Sequence, residues 1–324
     1  MKLSDHSLLC YLIILLIISI RAQDNLSNQD KIFFGQSPPS EIPEIFMPNI
    51  ISTGLDELNS VFSPDGQEFY FCVRNFLGAV SIFRMKLEQN TWSVPQLLPF
   101  ASPFGDIDVT ISPDGNTLLF SSKRPIPGED EPNSDYDLWF VKRTENNWGR
   151  PIYLGSKINS EKDEFYPMIT NNGTIYFSSQ REGKGTSNIY KSVPINGKYQ
   201  EAIKLCSAIN TNYREFDPYI SPDEKLLIFT STRPGGYGSG DLYICFKIKD
   251  GQWSEAKNLG NKINSNRPDF CPMITSDGKY LFFTSARKTA KYSNKHFDYK
   301  YFQDKHNEPE NGTGDIYWVS TRLL

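Results

Sequence analysis

Two columns of side chains carry the chemistry open to this sequence. The first is acidic: Glu57, Asp106, Glu164, Glu215 and Asp269, each followed seventeen or eighteen residues later by an arginine, Arg74, Arg124, Arg181, Arg233 and Arg287. A charge pair that returns in every unit reads as a structural ion pair or hydrogen-bond clasp between strand ends, because a catalytic site is normally built once. Its functional alternative is a charged ring at a channel mouth that selects a cation or a basic ligand. The second column stands two residues after the acids and varies: Asn59, Asp108, Tyr166, Asp217 and Cys271. Facing a central axis, these form the least symmetric ring and the expected ligand surface. Asp108 and Asp217 could serve as the two carboxylates of a glycosidase, one as acid and one as base or nucleophile. Nothing else in the sequence supports catalysis, and hydrogen-bonded aspartates are the commoner outcome.

Other chemistries find less support. Past residue 22 the only histidines are His296 and His306, ten residues apart and without a cysteine partner, whereas zinc needs three or four converging ligands. No transition-metal site and no organic cofactor is expected. Calcium at the acidic loop of Glu129, Asp130, Glu131 and Asp135 stays open, although EF-hand spacing is missing. A serine hydrolase is set aside for want of a G-x-S-x-G elbow. Asn25, Asn172 and Asn311 begin Asn-x-Ser/Thr triplets short enough to arise by chance. A net charge of −4 advertises no nucleic-acid surface.

The elements that must hold these columns repeat about every 50 residues. Each unit shows an acid, an apolar stretch, a tight turn, a hydrophobic strand and then, typically, Ser-x-Arg. The turns are Ser63-Pro64-Asp65-Gly66, Ser112-Pro113-Asp114-Gly115, Thr170-Asn171-Asn172-Gly173, Ser221-Pro222-Asp223-Glu224 and Thr275-Ser276-Asp277-Gly278. Proline presets φ at the second turn position, and aspartate accepts local backbone bonds. Third strands open at Ser81, Asp137, Asn188, Asp241 and Asp315, and outer strands are expected to begin at Trp92, Trp148, Tyr199 and Trp253. Four strands per unit predict an all-β, five-bladed propeller in a single domain over 43–324, with repeats starting near 57, 106, 164, 215 and 269. The last unit lacks a fourth strand, and residues 43–52 are expected to supply it, closing the ring and removing free sheet edges. A sixth blade from 23–42 is the alternative, disfavoured because that stretch is polar and proline-rich.

The first 22 residues differ in kind. Lys2 precedes an apolar run of about 13 residues, Leu8 to Ile20, too short to span a bilayer comfortably and suited to a secretory signal. An uncleaved anchor is the runner-up and the one route to a membrane. Export permits disulfides, but Cys72, Cys206, Cys245 and Cys271 fall at unrelated repeat positions and read as small buried hydrophobes. Two insertions, 126–136 and 288–314, fall between second and third strands and should emerge on one face of the disk. The second alternates aromatics (Tyr292, His296, Phe297, Tyr299, Tyr301, Phe302) with Lys288, Lys291, Lys295, Lys300 and Lys305, a composition suited to protein or glycan partners.

The recurring Asn-Ser-x-x-x-Glu-Phe-x-Pro-x-Ile-Thr…Phe-Ser-Ser-x-Arg…Asp-Leu-Tyr…Trp…Asn-Leu-Gly resembles the TolB-type, WD-repeat-like β-propeller repeat of bacterial envelope proteins, over roughly residues 43–320. That resemblance implies a periplasmic or cell-surface propeller that binds proteins or envelope components. The reading is thus an exported, monomeric, non-catalytic binding or scaffolding module for an envelope protein or glycan. Its ligand residues are expected among Asn59, Asp108, Tyr166, Asp217, Tyr299 and Tyr301. The alternative is a glycan-processing enzyme using Asp108 and Asp217.

Overall fold

The computed structural model describes residues 33–145, 147–183, 185–288 and 298–324. The expected signal segment, the chain up to residue 32 with Asn25, and Lys291, Tyr292, Lys295, His296 and Phe297 lie outside the described residues.

Alternating apolar and β-branched runs fold into five antiparallel four-stranded blades. From axis to rim, blade 1 is Asp56–Phe62, Glu68–Arg74, Val80–Glu88 and Gln96–Leu97. Blade 2 is Asp106–Ile111, Thr117–Ser122, Asp137–Lys142 and Ile152–Tyr153. Blade 3 is Glu164–Ile169, Ile175–Ser179, Asn188–Ser192 and Ile203–Lys204, and blade 4 is Glu215–Ile220, Leu226–Ser231, Asp241–Phe246 and Lys257–Asn258. Blade 5 takes three strands from the C-terminal end, Asp269–Ile274, Tyr280–Ser285 and Asp315–Ser320, and its fourth, Glu44–Ile45, from the N-terminal side. Glu44 pairs with Trp318 and Ile45 with Tyr317, so the ring closes as the sequence predicts.

The second strands lie between neighbouring blades and are buried on both faces, which explains their unbroken apolar runs. The turns behave as their residues dictate. Asp65 accepts from the Ser63 hydroxyl at 2.5 Å and from the Gln67 amide at 3.0 Å. In blade 4, Glu224 takes the left-handed turn position (φ 59°) that glycine holds elsewhere. Its carboxylate accepts from Tyr176 of blade 3 at 2.8 Å, which offsets the backbone strain.

The outer edge departs from expectation. Each fourth strand pairs four residues later than Trp92, Trp148, Tyr199 and Trp253 suggest. Those aromatics instead fold back on the end of the third strand or its extension, as Trp92 does on Leu87, Trp148 on Arg143 and Trp253 on Lys247. The core also reaches back beyond residue 43. Phe33 is buried against Phe62, Tyr280 and Trp318, with ring centroids 5.0–5.9 Å apart. Phe46, just after the closing strand, is fully buried among Phe34, Phe62, Phe69, Phe282 and Trp318. Replacing Phe46 with alanine is expected to lower stability by about 3–5 kcal/mol in chemical denaturation, because it empties the seam between first and last blades. A loss below about 1 kcal/mol would mean the seam is not a cooperative part of the fold.

Candidate functional site

Each inner strand contains a one-residue bulge, and the bulged residue is the variable column. Asn59, Asp108, Tyr166, Asp217 and Cys271 all adopt left-handed backbone, φ 46–60°, which is unfavourable for non-glycine residues. The bulge takes the residue's N–H out of the ladder and aims its side chain at the axis. Side chains of neighbouring blades then serve the freed amides. The Tyr166 amide donates to Asp108 Oδ2 at 3.1 Å, and the Cys271 amide donates to Asp217 Oδ2 at 3.2 Å. The Asn59 amide donates to Thr284 Oγ1 at 3.1 Å. Tyr166 crosses from blade 3 to blade 5 and donates to the Pro272 carbonyl at 2.8 Å. Asp108 and Asp217 are only 6% and 8% exposed, and Tyr166 only 1%. The column therefore fills the axis as a polar plug.

Burial raises both aspartates, and the Asp217 charge raises Asp108 further. The two carboxylates are near enough for one charge to raise the other, and each already serves a backbone amide. Tyr299 and Tyr301 do not join them. They sit on helix α1, Tyr299–Asn307, where the sequence suggested a loop. Asp298 caps the helix by accepting from the Tyr301 amide. Its C-terminal end packs so closely on Gly54 that a Cβ there would lie 2.6 Å from the Asn307 backbone.

The acid–arginine column forms ion pairs between strand ends in four of the five blades. In blade 2, Arg124 donates to Asp106 at 2.6 Å and through Nε to Ser122 at 3.1 Å, and its guanidinium lies 4.8 Å from the Phe120 centroid. Arg181–Glu164, Arg233–Glu215 and Arg287–Asp269 repeat the pair at 3.4, 3.3 and 2.9 Å. The acids are at most 1% exposed, so they form no ring at a channel mouth. Blade 1 is the exception. Strand register sets Glu57 opposite Val73, where the other blades have serine, and so brings Asn75 to the clasp position. Arg74 is displaced by one residue and pairs with Asp56 at 3.2 Å instead of Glu57. Glu57 accepts from the Thr53 amide and hydroxyl, and burial pushes it up to about 7.

Among the described residues no group of three or more His, Cys, Asp or Glu gathers to hold a metal ion. The four described cysteines are unpaired, and Cys72, Cys245 and Cys271 are buried. The amides of Asn172 and Asn311 are engaged by Glu224 and by the Gly54 and His306 carbonyls.

Below the plug, on the turn-bearing face, the axis opens into a cavity of about 590 Å³. Its throat is the next axial ring, two residues after the column: Val61, Thr110, Met168, Tyr219 and Met273. The prolines of three turns, Pro64, Pro113 and Pro222, line it further out. No charged side chain among the described residues lines it. The same repeat period and a two-residue step mark this ring in the sequence, beside the column singled out above.

No family model matches the chain, and no curated protein does. Solved structures share its fold. A glycoside hydrolase aligns with TM-score 0.52 and 7% identity over 92% of this chain and 96% of its own. A thermostable family-43 glycoside hydrolase gives TM-score 0.49 and 11% identity, covering 84% and 91%. TolB from Acinetobacter baumannii gives 0.45 and 16%, covering 82% of this chain and 57% of that protein. At such identities the likeness is one of architecture: four-stranded blades around an axis.

Two predictions follow from the buried charges. Arg124→Ala leaves Asp106 buried without its cation and should cost about 3–5 kcal/mol, whereas Arg74→Ala, half exposed, should cost under about 1 kcal/mol, both read by denaturant titration. The second concerns pH. Glu57, Asp137 and Asp315 are raised to about 7 by burial, and Asp108 and Asp217 also rise. The fold therefore keeps protons that the unfolded chain releases near pH 4, and their stabilisation fades as pH climbs through about 7. Asp223, lowered to about 2, acts in the opposite sense only in strong acid. The Tm should fall from pH 5 to pH 8.5. Asp108→Asn, which keeps an acceptor for the Tyr166 amide, should flatten that slope; an unchanged slope would remove Asp108 from the account.

Proposed function

We propose that this chain is an exported propeller acting as a non-catalytic binding and scaffolding module of the bacterial cell envelope. One observation carries the reading: the column's two carboxylates accept from backbone amides inside a plugged axis, while the open space on that axis is a funnel lined by no charged side chain among the described residues. A glycosidase needs its acid and base on either side of a substrate bond. Here Tyr166 occupies the space beside them. The envelope setting rests on the repeat resemblance and on the apolar run near the N-terminus.

The funnel favours a protein segment that presents apolar side chains. Burying apolar surface there is favourable, whereas a charged group would lose its hydration with no partner in the wall. Met168 and Met273 add walls that can repack around different side chains.

The test places a photo-crosslinking amino acid at Thr110 inside the funnel and, as a control, at Tyr237 in the blade 4 loop, in cells of the producing bacterium. A discrete crosslinked protein from Thr110, absent from Tyr237 and lost on Met273→Arg, is the expected result. Hydrolysis of a glycan substrate that disappears in Asp108→Asn or Asp217→Asn would replace this reading with the enzymatic one.

A further inference from the structure

The second strand offers each blade junction one side chain at its middle position. Tyr70, Tyr176 and Phe282 fill three junctions. Tyr70 accepts from the Trp148 indole N–H of blade 2 at 3.0 Å, Tyr176 donates to Glu224 of blade 4, and Phe282 packs on Phe46 and Phe62. Between blades 4 and 5 the equivalent residue is Ile228, fully buried, and between blades 2 and 3 it is Leu119, beside which a cavity of about 500 Å³ opens. This volume lies within the usual range of small-ligand sites.

We propose that this interblade cleft binds a neutral sugar ring of a glycan. A pyranose presents C–H groups on its faces and hydroxyls around its rim, so it needs an aromatic or apolar wall together with fixed donors and acceptors. The cleft supplies both. Leu119, Ile175 and Phe140 line its apolar side, and Tyr199 stands on a hairpin found in blade 3, Pro194–Ile195 paired with Lys198–Tyr199. The Tyr199 hydroxyl is anchored on the Gly173 carbonyl at 3.2 Å, which holds the ring in place.

The polar groups sit on the same lining. Asp114 is fixed by the Ser112 hydroxyl and by the Asn116 amide, interactions that keep its carboxyl below the usual range. It is therefore a permanent acceptor. Lys142 is held on Thr117 Oγ1 at 2.7 Å, 5.5 Å from the Phe140 centroid, with further N–H donors available. One cation and one anion leave the cleft without net charge, so a neutral sugar fits better than a uronic acid or a phosphate. This distinguishes it from the axial funnel, whose described lining has no charged side chain, and the inference stands independently of that site.

The test titrates the mature protein with chitotriose, maltotriose and cellotriose, following backbone amide shifts by NMR. At least one triose should bind with a millimolar or tighter Kd and shift amides of blades 2 and 3. Tyr199→Ala should weaken it by about 10-fold or more. Leu119→Tyr, which installs the side chain that two other junctions already carry, should abolish binding while the Tm stays close to wild type. Met273→Arg in the funnel should leave binding unchanged. Failure of all three trioses to bind at millimolar concentration, or wild-type affinity in either a folded Leu119→Tyr or Tyr199→Ala protein, overturns the proposal.

Discussion

One backbone constraint organises this molecule: each inner strand must bulge by a residue in left-handed conformation as it passes the axis. Five non-glycine residues in that region each cost roughly 1 kcal/mol or more, and each bulge takes an amide out of its ladder. Side chains from adjacent blades answer that cost. Asp108 serves blade 3, Asp217 serves blade 5 and Thr284 serves blade 1. The blades are therefore not independent sheets set side by side. Blades 2, 4 and 5 supply hydrogen bonds that a neighbour's strained strand needs, and Tyr166 ties blade 3 to blade 5 across the centre.

The same logic holds further from the axis. The arginine clasps fasten the ends of first and second strands to the incoming linker, as when Arg233 reaches both Glu215 and the Ile209 carbonyl. Blade 1 lacks the clasp and is also the blade that meets the ring closure. There the aromatic cluster around Phe46 takes over, and Glu57 is left with hydroxyl and amide donors alone. Buried acids at this seam, Glu57 and Asp315, are among the groups whose protonation the fold favours.

Function is then sought where scaffold duties end. The axial carboxylates each accept from a backbone amide of a neighbouring blade. Two open volumes lie away from those carboxylates, in the funnel under the turn face and in the cleft beside Leu119. Both interrupt the packing that the repeat builds around the axis and between blades. In a repeat fold, such exceptions separate binding surface from framework.

Periodicity alone determined the blade count, the order of strands and the closing of blade 5, because a two-residue alternation inside a fixed repeat admits few other packings. It also singled out the axial column, since five aligned copies expose the position that varies. It misplaced Arg74, because the seventeen-residue spacing that reaches the clasp in blade 3, where the turn is one residue shorter (Ile169 opposite Ile175), falls one residue short in blade 1 (Phe62 opposite Phe69), and only the paired strands show that Asn75 stands at the clasp. It set the outer strands four residues early, because an aromatic residue that ends a hairpin looks the same in sequence as one that begins a strand. Whether Asp108 and Asp217 act on a ligand or on their neighbours' amides depends on contacts between residues 54 or more positions apart. No local pattern encodes those contacts. The funnel and the cleft are likewise matters of volume left over after packing, and packing is decided only when the blades meet.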